Sequence, residues 1–142
     1  MSDTATAPAP AKTTAPSVRF GFIKFVVRDL AAMRDFYERT LGLVVAQTID
    51  LPDLIELVMR RPGEDSGFSV ILYWHKDRRD VVVGTGHGPL GLFVRDVDAA
   101  YAHALAAGAT DYRAPFDTGD MRAALVIDPE GRELEFISML RR

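Results

Sequence analysis

The stretch Phe25-Val26-Val27-Arg28-Asp29-Leu30-Ala31-Ala32 returns as Leu92-Phe93-Val94-Arg95-Asp96-Val97-Asp98-Ala99, an offset of 67 counted from Asp29 to Asp96. A repeat of this length marks two copies of one structural unit and removes most other folds from consideration. Each copy reads as an apolar strand, an aspartate and a helix. The aspartates stand where a helix N-cap belongs, because a carboxylate there accepts hydrogen bonds from the unpaired amides of the first turn. Leu30, Met33, Phe36, Tyr37 and Leu41 follow helical spacing after Asp29, as do Val97, Tyr101, Ala104 and Leu105 after Asp96. Gly42 and Gly108 are placed to close the two helices.

Three short β-type segments follow each helix. In the first copy they are Leu43 to Ile49, Leu54 to Arg60 and Phe68 to His75, divided by Leu51-Pro52-Asp53 and by the turn-rich run from Arg61 to Gly67. In the second they are Thr110 to Arg113, Met121 to Ile127 and Arg132 to Met139, the last entered through Asp128-Pro129-Glu130-Gly131. The order βαβββ, twice, predicts an α+β fold with a curled sheet. A length of 142 residues suits one domain, here residues 18–142, with modules at about 18–75 and 89–140 and a linker at 76–88. That linker holds Gly84, Gly86 and Gly88, which suggests a plain connector with room for a short strand at Val81 to Val83.

Composition narrows the function. Hydrophobic residues at 48% and charged residues at 26% allow a core large enough to wall a cavity. A net charge of −3, with basic pairs scattered among acids, gives no field for nucleic acid. The chain has no cysteine, so disulfides, thiolate metal sites and cysteine nucleophiles are excluded. Residues 1–17 are rich in Ala, Pro and Thr, without the basic start and apolar run of a signal peptide, and read as a disordered tail on a cytoplasmic protein. No apolar stretch is long enough to cross a bilayer, so no membrane partner is expected.

The junctions Val27-Arg28-Asp29-Leu30 and Val94-Arg95-Asp96-Val97, the helix exit Phe36-Tyr37-Glu38-Arg39-Thr40-Leu41-Gly42-Leu43, and Asp128-Pro129-Glu130-Gly131-Arg132-Glu133-Leu134-Glu135 together carry a resemblance. From Arg19 to Leu140 the chain resembles the vicinal oxygen chelate superfamily of glyoxalase I, bleomycin-resistance proteins, fosfomycin-resistance enzymes and extradiol dioxygenases. The resemblance implies the glyoxalase-like fold and a small-molecule ligand, but hosts several chemistries. In metal-using relatives the ligands lie on the first and last strands of each module. Those positions fall here on Phe22, Ile71 (or Leu72 with a slip of one), Pro89 and Glu135, of which Glu135 alone is a ligand type. A catalytic divalent ion needs about three protein ligands. No metal cofactor is therefore expected, the alternative being a site rebuilt from His75, His87 and Glu135. The resemblance also implies a homodimer, since relatives usually cover their exposed sheet edges and apolar sheet surface with a second subunit.

Strand alternation indicates which side chains line the cup. Lys24 shares a face with Phe20, Phe22 and Val26, opposite Ile23, Phe25 and Val27, which pack under the helix. Ser69, Ile71, Tyr73 and His75 share one face of their strand, and Glu133, Glu135 and Ile137 one face of theirs. Pro89, Gly91, Phe93 and Arg95 complete the lining. Lys24 then has two readings: a salt bridge with Glu135 or with a rim acid such as Glu56, or a functional amine meeting the ligand. Glu135 is either a structural acid or a general base. One function class is a metal-independent isomerase or lyase acting on a small carbonyl-bearing or aromatic compound, with Glu135, Lys24 and Tyr73 catalytic. The other is a drug- or metabolite-sequestering protein, for which Phe20, Phe22, Tyr73, Phe93 and Phe116 could supply stacking surfaces. In either class Phe22, Ile71, His75, Phe93 and Phe116 are the expected ligand-binding residues. His103 is expected to face water. Because three of the four ligand positions lack a donor, elemental analysis of the purified protein should find no stoichiometric transition metal. One tightly held Zn, Mn, Ni or Fe per chain would contradict this reading.

Overall fold

The computed structural model describes residues 8–9, 14–65 and 67–140, so most of the tail expected over residues 1–17 lies outside the described residues. The elements run β1 (Phe22–Val26), α1 (Leu30–Leu41), β2 (Val44–Asp50), β3 (Leu54–Arg60), β4 (Ser69–His75), β5 (Leu90–Phe93), α2 (Val97–Ala106), β6 (Thr110–Thr118), β7 (Met121–Ile127) and β8 (Glu133–Met139). This is βαβββ twice, as the repeat requires. The strands form two four-stranded sheets, ordered β1-β4-β3-β2 and β5-β8-β7-β6. In each, the first strand runs parallel to the last strand of its module, and the remaining pairs are antiparallel. Lys24 pairs with Ile71 and Gly91 with Glu135, so Ile71 is the counterpart of Glu135 and the register does not slip to Leu72.

Both helices begin as their sequences dictate. Asp29 and Asp96 hold extended backbone and accept from Ala32 N and Ala99 N at 2.9 and 3.0 Å. Gly42 closes α1 with φ +66°, a left-handed conformation that favours glycine. The second helix differs: Ala107 is its C-cap in right-handed geometry, and Gly108 follows one residue later at φ +114°. Val81 to Val83 form no strand. Conversely β6 runs on to Thr118 through two register irregularities around Arg113. Pro115, which cannot donate, is tolerated there because β6 is an edge strand.

Each sheet turns one face to its helix. Val70, Leu72, Leu57 and Met59 meet Met33, Phe36 and Tyr37, while Ala124, Val126, Leu134 and Phe136 meet Val97 and Ala104, and the two sets form one continuous core. A buried polar network binds the modules inside it. The Tyr37 hydroxyl donates to Asp128 Oδ2 at 2.7 Å, and Asp128 Oδ1 accepts from Glu130 N and Arg132 N at 2.8 and 3.0 Å. Glu130 reaches from the β7–β8 turn to accept from Arg28 N and Asp29 N at 2.8 and 2.9 Å. Those are amides at the mouth of α1, so a carboxylate of the second module completes the N-terminus of the first module's helix. Arg132 donates Nη2 to Val26 O, and its guanidinium carbon lies 5.3 Å from the Phe25 ring centroid. His103 is exposed as expected, yet its Nε2 sits 2.6 Å from Arg39 O at the end of α1.

Burial first, and the neighbouring Asp128 carboxylate second, hold the Tyr37 phenol far above its ordinary value of 10.0. Its folded pKa is raised, so its contribution to stability is complete below about pH 10 and fades above it, where the phenol ionises only in the unfolded chain. Tyr37→Phe should cost about 1.5 to 3 kcal/mol at neutral pH, the range for a hydrogen bond to a charged group. It should also shrink the alkaline loss of stability. Urea melts at pH 7 and pH 10.5 measure both, and equal pH dependence in wild type and variant would refute the assignment.

Candidate functional site

One face of the first sheet turns away from the helix-packed core. Leu54, Glu56 and Val58 on β3 and Ser69 and Ile71 on β4 are all buried although no helix covers that side. Glu56, at 7% exposure, is the carboxylate on this floor. Its side chain pairs with Lys24 Nζ in a short contact, and the lysine side chain remains 40% exposed. Above that pair stand two aromatic rings: Nζ lies 5.4 Å from the Tyr73 centroid and 5.8 Å from that of Phe22. His75 packs edge-on against Tyr73 at 4.8 Å between centroids. At the other end Arg60 Nε donates to Ser69 Oγ at 2.8 Å. Beyond His75, the Arg79 guanidinium holds the exposed Asp77 carboxyl down at about 2 by direct hydrogen bonding.

Chemically, the arrangement offers a sheltered carboxylate and a half-exposed ammonium beneath aromatic rings. Lys24, Tyr73, His75 and Phe22 thus gather as strand parity predicts, with Ile71 beneath them in the floor. Glu135 does not join them through any bond: among the described residues Lys24 has no hydrogen bond or ion pair to Glu135, and its partner is Glu56. Of the two salt-bridge readings of Lys24, the rim-acid one holds, and Glu56 lies in the floor rather than at a rim. Glu135 sits half-buried on β8, between Gly91 and Leu125. Phe93 is 84% exposed at the free edge of β5. Phe116, on β6, is half-buried under the Arg113 guanidinium, whose carbon is 3.5 Å from the ring centroid.

A family model for the Glyoxalase/Bleomycin resistance protein/Dioxygenase superfamily matches residues 19–136. The chain belongs to this superfamily. Among solved structures, glyoxalase I from Zea mays superposes with a TM-score of 0.77 at 22% identity, covering 87% of this chain and 45% of the maize one. This superfamily member thus spans about half the length of that enzyme. The trypanothione-dependent glyoxalase I of Leishmania major gives 0.73 at 24% identity, with 86% and 87% covered. A glyoxalase/bleomycin resistance protein/dioxygenase family enzyme from Burkholderia phytofirmans gives 0.60 at 24%, with 84% and 98% covered. These likenesses establish the fold. No curated protein matches the sequence.

The residues at the superfamily's metal positions do not suit a metal: the Phe22, Pro89 and Ile71 side chains carry no donor, and Glu135 is one carboxylate. Among the described residues no group of three His, Asp or Glu side chains is placed to hold an ion. His75 packs on Tyr73, and His87 lines a separate cavity with Pro89.

The pairing of Lys24 with Glu56 has an energetic signature. A double-mutant cycle on Lys24→Met and Glu56→Gln should give a coupling of about 1 kcal/mol, discounted from buried-pair values because the lysine is part-exposed. The same cycle with Glu135→Gln should be additive within about 0.5 kcal/mol. Coupling to Glu135 with none to Glu56, measured by denaturant melts, would reverse the assignment.

Proposed function

We propose that the chain is an enzyme acting without a metal on a small carbonyl-bearing or aromatic compound, by isomerase- or lyase-type proton transfer. The observation that carries this reading is the Lys24–Glu56 pair, held on a sheltered floor between Phe22 and Tyr73. A partly exposed ammonium can donate to a substrate oxygen and stabilise charge that develops there. Glu56, relieved of Lys24 as that contact shifts, becomes a carboxylate able to take a proton from the neighbouring carbon. Tyr73 is half-buried with its ring centroid 5.4 Å from Lys24 Nζ, and its hydroxyl is a further group able to orient the oxygen. Glu135 is the second candidate base, from the other module. The donor-poor set Phe22, Pro89 and Ile71 supports chemistry routed through side chains.

Sequestration without turnover is the competing reading, favoured by the apolar exposure of Phe22 at 58% and Phe93 at 84%. Exposed aromatic rings suit a planar ligand. The same exposure, with Phe20 and Val82 close by in sequence to the free strands β1 and β5, supports a homodimer that covers these residues. Light scattering at micromolar concentration should give twice the chain mass; a monomer would remove that part of the proposal.

A thermal-shift screen of small carbonyl and aromatic metabolites supplies the ligand, and variants then separate the two classes. Glu56→Gln should abolish turnover while leaving ligand affinity within about threefold, as removal of a base acting mainly in the transition state does. Glu135→Gln tests the second base in the same assay. A ligand bound tightly by wild type with no product formed would leave sequestration as the function.

A further inference from the structure

At the end of β3 stands a cation that no acid balances. Cross-strand partners share a face, so the side of the first sheet that carries Glu56 also carries Val44, Gln47 and Ile49 of β2, the odd-numbered residues of β4, and Phe22, Lys24 and Val26 of β1. Its permanently charged side chains are therefore Lys24, Glu56 and Arg60. Lys24 and Glu56 cancel each other in their ion pair. Arg60 has no carboxylate partner among the described residues: Nε donates to Ser69 Oγ at 2.8 Å and Nη1 to Asp65 O at 3.2 Å, both uncharged acceptors. Glu64, close by in sequence, is engaged by Arg61 at 3.3 Å. The face thus keeps a net positive charge, centred on a part-buried guanidinium whose Nη2 has no hydrogen bond among the described residues.

The bond to Ser69 fixes where that guanidinium sits. β4 lies between β3 and β1, so donation to Ser69 leans Arg60 across β4 toward β1, where Ser69 is the partner of Phe22. Lys24 is the partner of Ile71, two residues further along β4, a step of about 6.6 Å. Arg60 and Lys24 therefore address neighbouring positions of one floor. The Phe22 ring stands beside both, 58% exposed and with its centroid 5.8 Å from Lys24 Nζ, and offers an apolar surface alongside the two cations.

The charges select the ligand. A cationic molecule would meet both Arg60 and Lys24, and a neutral one would leave the guanidinium without a counter-charge. A carboxylate supplies it, through the paired N–H geometry that a guanidinium offers and a lone ammonium does not. We propose that the cup takes a short keto acid and that Arg60 is the residue selecting the acid: Nη2 and the remaining N–H of Nη1 hold the carboxylate, the carbon chain lies against Phe22, and the keto oxygen reaches the Lys24 ammonium. This rests on the reading of the cup as the ligand site and names the class of its substrate. Arg60 takes no part in the proton transfer.

Titration of the full ¹⁵N-labelled chain with levulinate, a short keto acid, and with its methyl ester tests this, followed by amide and arginine Nε–H shifts. The acid should shift Phe22, Lys24, Arg60, Ser69 and Ile71 saturably and bind at least about tenfold tighter than the ester, an excess that shrinks as salt is added. Arg60→Gln should bring the acid down to the affinity of the ester. Arg60→Lys should keep part of the preference, and Arg61→Gln, which removes the neighbouring charge, should keep all of it. Comparing acid with ester on the unmutated chain needs no variant to fold. Equal affinity for acid and ester, no saturable shift with the acid, a preference that survives Arg60→Gln, or shifts centred on Arg78 and Arg79 would each overturn the proposal. Affinity alone decides it, whereas the acid–base reading of Glu56 stands or falls on turnover, so the two can fail separately.

Discussion

The structure depends on one carboxylate that belongs to neither of the elements it joins. Glu130 leaves the turn before β8 and accepts the two amides that open α1, so the first module's helix is finished by the second module's turn. Asp128, two residues earlier, takes the Tyr37 hydroxyl from the buried side of the same helix. Packing the two modules together merges their buried faces into one core, and the polar network fixes how they meet, because Tyr37 and the Glu130 carboxylate find their partners only across the two modules.

Energetics on the floor of the cup pull in the opposite direction. Glu56 is buried among Leu54, Val58 and Ile71, a setting that disfavours a lone carboxylate, and Lys24 offsets the cost from a side chain that is still 40% exposed. A fully buried pair would be structural and inert. A fully exposed one would have no power over a ligand. This pair is asymmetric: its carboxylate is buried in the floor while its ammonium arm is part-exposed and free to turn toward water or toward a substrate, at modest cost since part-exposed ion pairs contribute little.

The fold was legible because its signals are local and repeated. Asp29 and Asp96 cap their helices, β3 and β7 begin and end where the apolar runs do, and parity alone places Tyr73 beside His75. Partner choice was harder to read. Lys24 and Glu56 sit on β1 and β3, with β4 between them, so the contact spans two interstrand spacings of about 4.8 Å and exists only because both side chains are long. A weak signal was available: in Leu54-Ile55-Glu56-Leu57-Val58-Met59-Arg60 the one acid is flanked on both sides by apolar residues and shares parity with Leu54 and Val58, not with Ile55, Leu57 and Met59. Sheet order was the missing fact. Glu130 was missed for the same reason, since its partners lie about a hundred residues away.

Duplication also explains why the middle of the molecule stays open. Each module ends its sheet on its first strand, so a two-module chain brings two first strands to its centre, and hydrogen bonding between them would close the sheet. Here they remain unpaired, with the Arg132 side chain capping the Val26 oxygen where a neighbouring strand would otherwise bond. Pro89 reinforces the gap from the other side, because it removes a donor at the entrance to β5. Three valines of the linker then run alongside without joining either sheet. An open seam of this kind leaves edge amides and apolar walls unsatisfied at once, the combination that a ligand or a second chain can relieve and that a closed barrel would have abolished.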